Sequence, residues 1–385
     1  MVPLAVGPPR PPGQPAPSHV KRFSPFPMEK RWTLKLNNSL RGSPAFDGSV
    51  GFFPIEGDRL VAYDLDTGTL RWIAPVRLQS PAAIGRGQLY VADDDAIVAL
   101  NLDDGSLAWR TPVPEKIVAP LDWENGWLAA ATWATLLMMR ASDGAVIWQR
   151  ALPSPASAAP TVASDHVYVP LQDGHVAAFN LTDGHDAWRR RLGSTPNQIY
   201  VLGNRLFVGS RDNYLYCLNA RDGQVEWRSR TGADVVSTPV LDQHRIYFIS
   251  LDNVLRALNQ RNGVQQWRRA LTFRPAWGPI KTAETILLSG FGGPVRAFYL
   301  DDGTPAGELA VEGGAEVAAQ PYAFDLPRTL GPIVVTVTRS PASGATITAS
   351  NRAVDPPLVK TVPTMPGIAR PLTSSTSSVV SARPD

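Results

Sequence analysis

Short apolar runs recur along the chain between tight polar turns, as in Gln88-Leu89-Tyr90-Val91-Ala92 and Ala96-Ile97-Val98-Ala99-Leu100. Their lengths and boundaries are those of strands, and no stretch sustains the period of an amphipathic helix. The runs keep a fixed order. A Pro opens each unit, two strands separated from a third by a turn follow, and an Asp-Gly or Asn-Gly turn leads into a last strand carrying Trp. We letter these four strands A to D.

Units end at Trp72, Trp109, Trp148, Trp188, Trp227 and Trp267, and a seventh has Gly307 where the Trp would stand. Pro44, Pro81, Pro120, Pro160, Pro239 and Pro279 each precede that closing position by 28 (72 − 44, 307 − 279). Pro196 precedes Trp227 by 31, which predicts a small insertion in the fifth unit. An eighth unit begins at Pro321 and fades near Pro363 without a Trp strand. Its missing strand is supplied by Lys30-Arg31-Trp32-Thr33-Leu34, one repeat ahead of Trp72.

Four-stranded units repeating at about 40 residues predict an all-β, eight-bladed β-propeller of antiparallel blades. An N-terminal strand would complete the last blade and protect the seam, which otherwise leaves an open edge. The propeller is expected over residues 28–363. A Pro-rich disordered arm (1–27) would precede it, and a Ser/Thr-rich disordered tail (364–385) would follow.

The turn residues have a physical reason. Asp104-Gly105, Asp143-Gly144, Asp222-Gly223 and Asn262-Gly263 lie between two strand runs, where a tight hairpin needs positive φ and Gly accepts it cheaply. The large ring that follows is suited to burial between blades, so Trp32, Trp72, Trp109, Trp148, Trp188, Trp227 and Trp267 are read as docking residues worth about 2–3 kcal/mol each.

Composition narrows the chemistry. The 385 residues carry a net charge of +3 and a pI of about 9.0, a mild basic excess that names no partner. Cys217 is the single cysteine, so an intrachain disulfide and a Cys-based metal site are excluded. The chain has neither a run long and apolar enough to span a bilayer as a helix nor the pattern of an export signal at its start. No nucleophile elbow, phosphate loop or paired-His metal motif occurs. His166, His175 and His185 fall at different levels of the fourth unit and are not expected to share a metal.

The stretch Ala99-Leu100-Asn101-Leu102-Asp103-Asp104-Gly105-Ser106-Leu107-Ala108-Trp109 resembles the tryptophan docking repeat of the quinoprotein, or PQQ-type, β-propellers, and the similarity runs over about residues 30–363. That superfamily holds quinone-dependent dehydrogenases and non-catalytic relatives, notably the propeller lipoprotein of the outer-membrane β-barrel assembly machine. The docking repeat is common to both. The alcohol dehydrogenases hold PQQ with an adjacent cysteine pair, a calcium site and a catalytic Asp. One cysteine leaves no pair, and the acids Asp93-Asp94-Asp95 read as solvated turn residues, so no cofactor is expected. A PQQ- and calcium-dependent oxidoreductase, or a ligand-sensing propeller, stands as the alternative. The resemblance implies a location in a bacterial cell envelope.

Arginines after the Trp positions (Arg110, Arg150, Arg189, Arg190, Arg191, Arg228, Arg230, Arg268, Arg269) are read as charges that keep outer edges from pairing; nucleic acid is not expected as a partner. The interblade loops and the B to C turns emerge on one face, opposite the uniform Asp-Gly turns. This variable face carries Trp133, Trp277, Phe291, Arg211, Asp212 and Asp234, the expected anchors for a protein partner. Gly232 to Pro239 is similar to the Asp-rich interblade loop of the assembly-machine propeller; Asp234 matches it and Val236 replaces a second acid. A monomeric, non-catalytic protein-binding scaffold is the expectation.

Overall fold

The computed structural model describes residues 24–352 other than 37, 114, 236, 312–314, 328, 330 and 341–343, together with 360–361. Among them every regular element is a strand. Eight antiparallel blades form a ring, and each is ordered A, B, C, D from the axis outward, as in Ala45–Asp47, Val50–Ile55, Arg59–Asp64 and Leu70–Pro75. Innermost strands touch those of neighbouring blades, while B and C supply nearly continuous buried runs, because both of their faces are covered by adjacent blades. Outermost strands are buried only on alternate residues.

The last blade is made from both ends of the chain. Tyr322–Phe324, Ile333–Ser340 and Gly344–Arg352 are completed by Met28–Lys35, which pairs antiparallel with the third strand and sets Trp32 opposite Ala349. Two short strands enlarge this sheet beyond the expected four: Glu316–Val317 beside the second, and Lys360–Thr361 running parallel outside Trp32 and Thr33. The seam with blade one is apolar, and the rings of Phe46 and Tyr322 stack across it at 4.4 Å.

Blade five contains no insertion. Its first strand, Pro196–Leu202, starts early and has an irregularity after Pro196, so the residue in register with Pro160 is Ile199, which stands 28 before Trp227 (227 − 199). The Pro has moved along the strand while the repeat length is kept. The last residues of the expected N-terminal arm pack against the ring. Ser24 Oγ donates to Ala306 O at 2.8 Å, Arg352 Nη1 donates to Ser24 O at 2.9 Å, and Phe26 is buried against Leu287, Val295 and Leu309. Residues before 24, and the expected tail at 364–385, lie outside the described residues.

Each docking Trp reaches into the next blade. Trp72 Nε1–H donates to Leu102 O at 2.8 Å, Trp109 to Ala141 O, Trp148 to Leu181 O, Trp188 to Ala220 O, Trp227 to Gln260 O and Trp267 to Leu300 O. Trp32 closes the circle on Leu65 O at 3.0 Å. The acceptor is in every case the residue three before the turn Gly. That Gly lies flat beneath the ring: a Cβ at Gly105 would stand 2.6 Å from the Trp72 ring, and one at Gly184 2.7 Å from Trp148. Positive φ is therefore only half of the reason for Gly there. For five of these rings, those of Trp72, Trp109, Trp188, Trp227 and Trp267, the other neighbour is an aromatic on strand B of the same blade, as in Tyr90 with Trp109 and Phe207 with Trp227, both 5.9 Å between centroids.

Candidate functional site

The two ends of the ring differ as the topology requires. Asp-Gly turns crowd one end, each closed in the same way, with the Gly N–H donating to the carbonyl four residues earlier (Gly105 to Asn101, Gly144 to Arg140, Gly184 to Asn180). At the other end, each D strand passes into an interblade connection that is pinned to the B to C turn beside it; Leu192 N–H donates to Gly174 O, Thr231 to Asn213 O and Leu271 to Asn253 O. The two kinds of loop thus share one rigid face, and side chains there differ from blade to blade.

Asp234 and Arg211 are brought together. Val235 N–H donates to Ser210 O at 3.3 Å, so the residues flanking this bond, Asp234 in the connection and Arg211 in the blade-five turn, are neighbours. Arg211 is exposed, and neither side chain has a polar partner among the described residues. The same connection extends to blade six, where Leu251 N–H donates to Asp234 O at 2.9 Å. Leu251 is 42% exposed and occupies the turn position that Arg211 holds in blade five. It is a surface residue that sequence reasoning missed; its signal is an apolar side chain within Ser250-Leu251-Asp252-Asn253, where the sister turn reads Ser210-Arg211-Asp212-Asn213. Val236 lies outside the described residues.

Trp133 and Phe291 are loop aromatics as expected, 63% and 62% exposed in the B to C turns of blades three and seven. They stand apart from the Arg211 and Asp234 pair. Val118, 43% exposed, lies beside Trp133 because Ile117 bridges to Thr132.

Two further candidates make contacts within the scaffold. Trp277 is part of the innermost strand Pro275–Lys281, half-buried, and donates Nε1–H to Val317 O at 3.1 Å, which ties blade seven to blade eight. Asp212 accepts from the Tyr216 hydroxyl and packs over Gly193. Burial, and then Asp212 itself, push the Tyr216 hydroxyl up. Asp252 is the blade-six counterpart. Burial would raise it, but bonds from Arg256, Ser250 and the Gly232 N–H outweigh that and hold it at about 2.

The charges that could suggest a metal are already engaged. Arg110 pairs with Asp93 and Asp95, and Arg77 with Asp94. His166, His175 and His185 each pair with a different Asp: Asp165, Asp173 and Asp183. Cys217 lies on the third strand of blade five, buried, with its thiol pushed up to about 12 by burial and by Glu226. A single buried thiol and arginine-paired turn acids do not fit a quinone site built on a cysteine pair and calcium.

The arginines after each Trp divide by position. Those two residues on share the Trp's side of the strand and clasp the next blade: Arg150 Nε–H donates to Gly184 O, Arg190 to Gly223 O and Arg269 to Gly303 O, at 2.7–2.8 Å. Those one residue on point outward, and Arg110 and Arg189 pair with acids of their own blade. Edge protection is therefore only part of their role.

Seven interblade Trp clasps, a ring closed by both chain ends and a variable loop face define a PQQ-type propeller. The profile of the family described as outer membrane protein assembly factor BamB matches residues 18–121, 116–202 and 195–321, and the chain belongs to this family. No curated protein matches it in sequence. Among solved structures it is similar to BamB from Moraxella catarrhalis, with TM-score 0.66 and 17% identity over 84% of this chain and 97% of that one. It is also similar to the computationally designed Ika8 protein, with TM-score 0.70 and 11% identity over 83% and 99%. The quinohemoprotein alcohol dehydrogenase ADHIIG from Pseudomonas putida HK5 is matched with TM-score 0.65 and 11% identity over 88% and 78%. At such identities these likenesses speak for the fold alone.

Proposed function

We propose that the protein is a non-catalytic scaffold that binds another protein through its loop face, in the manner of an envelope assembly factor acting on outer-membrane proteins. The observation that carries this is the contrast between the two ends of the ring. One repeats a single turn, whereas the other presents Leu251 to solvent beside Arg211 and Asp234, and Trp133 and Phe291 farther round the face, on rigid supports. Family membership supports the assembly role and a place in the bacterial envelope. Among the described residues no helix is long and apolar enough to cross a membrane.

Mild crosslinking in the native host tests this reading: a reproducible protein partner is expected, and its loss on combining Asp234→Lys with Arg211→Glu. A quinone-dependent oxidoreductase is the second reading, favoured by the fold shared with an alcohol dehydrogenase. Titration with PQQ and calcium separates the two, since saturable Trp quenching with dye-linked alcohol oxidation belongs to the enzyme alone.

A further inference from the structure

Once the clasping and paired arginines are set aside, together with Arg86, Arg221 and Arg261 in turns at the Asp-Gly end, the remaining exposed ones are not spread evenly around the ring. Arg191 and Arg230 end the outermost strands of blades four and five, at the loop-face edge; Arg211 lies in the blade-five turn, and Arg274 in the connection from blade six to seven. Arg268 projects from the outermost strand of blade six. All five are exposed and lack an acidic partner among the described residues. Arg228, between them, lies over the Tyr214 ring at 4.8 Å with its charge uncompensated by a carboxylate. Two acids of this sector are committed to arginines, Asp173 to Arg189 and Asp252 to Arg256, while Asp212 accepts from the neutral Tyr216 hydroxyl and keeps its charge. Asp212 and Asp234 are thus the two acids set against the six cations.

Elsewhere on the same edge most arginines are matched, and the unmatched cations Lys35 and Lys116 stand singly. Arg41 faces Glu56, Arg77 lies between Asp58 and Asp94, Arg110 holds Asp93 and Asp95, and Arg339 meets Glu316. The basic crescent over blades four to six is thus a local excess in a chain whose overall charge is only +3.

We infer that this crescent receives an acidic segment of a protein partner. The inference rests on the reading of the loop face as a protein-binding face and specifies the partner's chemistry. Guanidinium groups are suited to paired bonds with carboxylates, and their spread along an edge fits an extended chain. The exposed large aromatics, Trp133 and Phe291, lie in blades three and seven, so the crescent has no exposed platform on which bases would stack. Exposed Leu251 adjoins it and offers an apolar contact that a peptide can use.

The test is fluorescence anisotropy with a labelled Glu-rich peptide on the full chain, from low to physiological ionic strength. The double variant Arg191→Glu, Arg230→Glu is compared with Arg41→Glu, Lys116→Glu, which changes net charge equally in another sector. The crescent variant is expected to lose about tenfold or more in affinity and the control about twofold or less. Arg191→Gln with Arg230→Gln should give the same ranking if the Glu variants fold poorly. Absence of peptide binding, or equal losses in the two variants, overturns the proposal. So does stronger crescent-dependent binding of a single-stranded oligonucleotide or of anionic phospholipid vesicles. If the crescent variant captures the native partner undiminished, the crescent fails while the loop-face reading stands. If no partner is captured yet the peptide ranking holds, the loop-face reading fails alone.

Discussion

Phe26 occupies the place left by the absent seventh Trp: a Cβ added at Gly307 would stand 2.6 Å from the Phe26 Cβ. Blade seven therefore docks on blade eight with a ring from the far end of the chain that belongs to none of its four strands, where every other blade carries the ring on its strand D. Gly307 has φ 141°, so two features resist a side chain there, the backbone and the Phe26 ring. Phe26→Ala is expected to destabilise the fold by about 3 kcal/mol through the cavity it leaves. Gly307→Ala should also destabilise, but the two changes should fall short of additive in a denaturant cycle, because removing the ring relieves part of the clash. Strict additivity would show that the two residues do not share a site.

Glycines of positive φ give a second comparison. Gly48 and Gly184 have φ 52° and 68°, yet a Cβ at Gly48 meets nothing within 4 Å whereas one at Gly184 meets the Trp148 ring at 2.7 Å. Gly48→Ala is expected to cost about 1 kcal/mol, the conformational part alone. Gly184→Ala should cost at least about 2 kcal/mol more, since the Trp must leave its slot. Equal melting temperatures for the two variants would contradict the docking role of the turn Gly.

The clasping arginines predict a contrast between adjacent positions. Arg190 bonds to Gly223 O of the next blade, while Arg191 faces solvent. Arg190→Ala should lower stability by about 1–2 kcal/mol, and Arg191→Ala should leave it nearly unchanged. Urea unfolding of both proteins measures the difference.

Asp122 predicts a pH dependence. Burial raises its pKa to about 6, the Val162 N–H bond opposes this and Glu124 adds to it. The native carboxyl keeps its proton at pH values where the unfolded chain has lost it, so ionising it costs the fold. Stability carried by this group is full below about pH 4 and declines as pH rises towards 6, by about 2 kcal/mol. Asp252, lowered to about 2, acts in the opposite sense, its contribution being lost as pH falls from 4 towards 2. Asp122→Asn keeps an acceptor for Val162 and should flatten the decline between pH 4 and 6. An unchanged slope in thermal melts would remove Asp122 as its source.

The ring was legible because its physics is local and repeated. Pro, apolar strands, Asp-Gly and Trp recur at fixed spacing, and the orphan Trp32 strand announces how the last blade closes. The blade-five register was misread because Pro196 marks where its strand begins, whereas register is set by the pairing of Ile199 with Val208. The role of Phe26 was hidden for a different reason. Nothing in a Pro-rich segment says that its aromatic will meet a Gly some 280 positions away, and only the closed ring brings them together. On the loop face, Trp133 and Phe291 were visible as aromatics in turns, but Trp277 looked the same and proved to be a tie to Val317. Exposure depends on neighbouring blades, which no single repeat specifies.

The loop face as the binding face is tested most directly by quantitative crosslinking capture from the native host. Trp133→Ala, Phe291→Ala and the paired Asp234→Lys, Arg211→Glu change would be compared with Leu107→Ser at the Asp-Gly end, where Leu107 is 60% exposed. Capture of one reproducible partner, reduced about tenfold by at least the paired change and unaffected by Leu107→Ser, is the predicted result. Undiminished capture by every loop-face variant, or loss on Leu107→Ser alone, would contradict it.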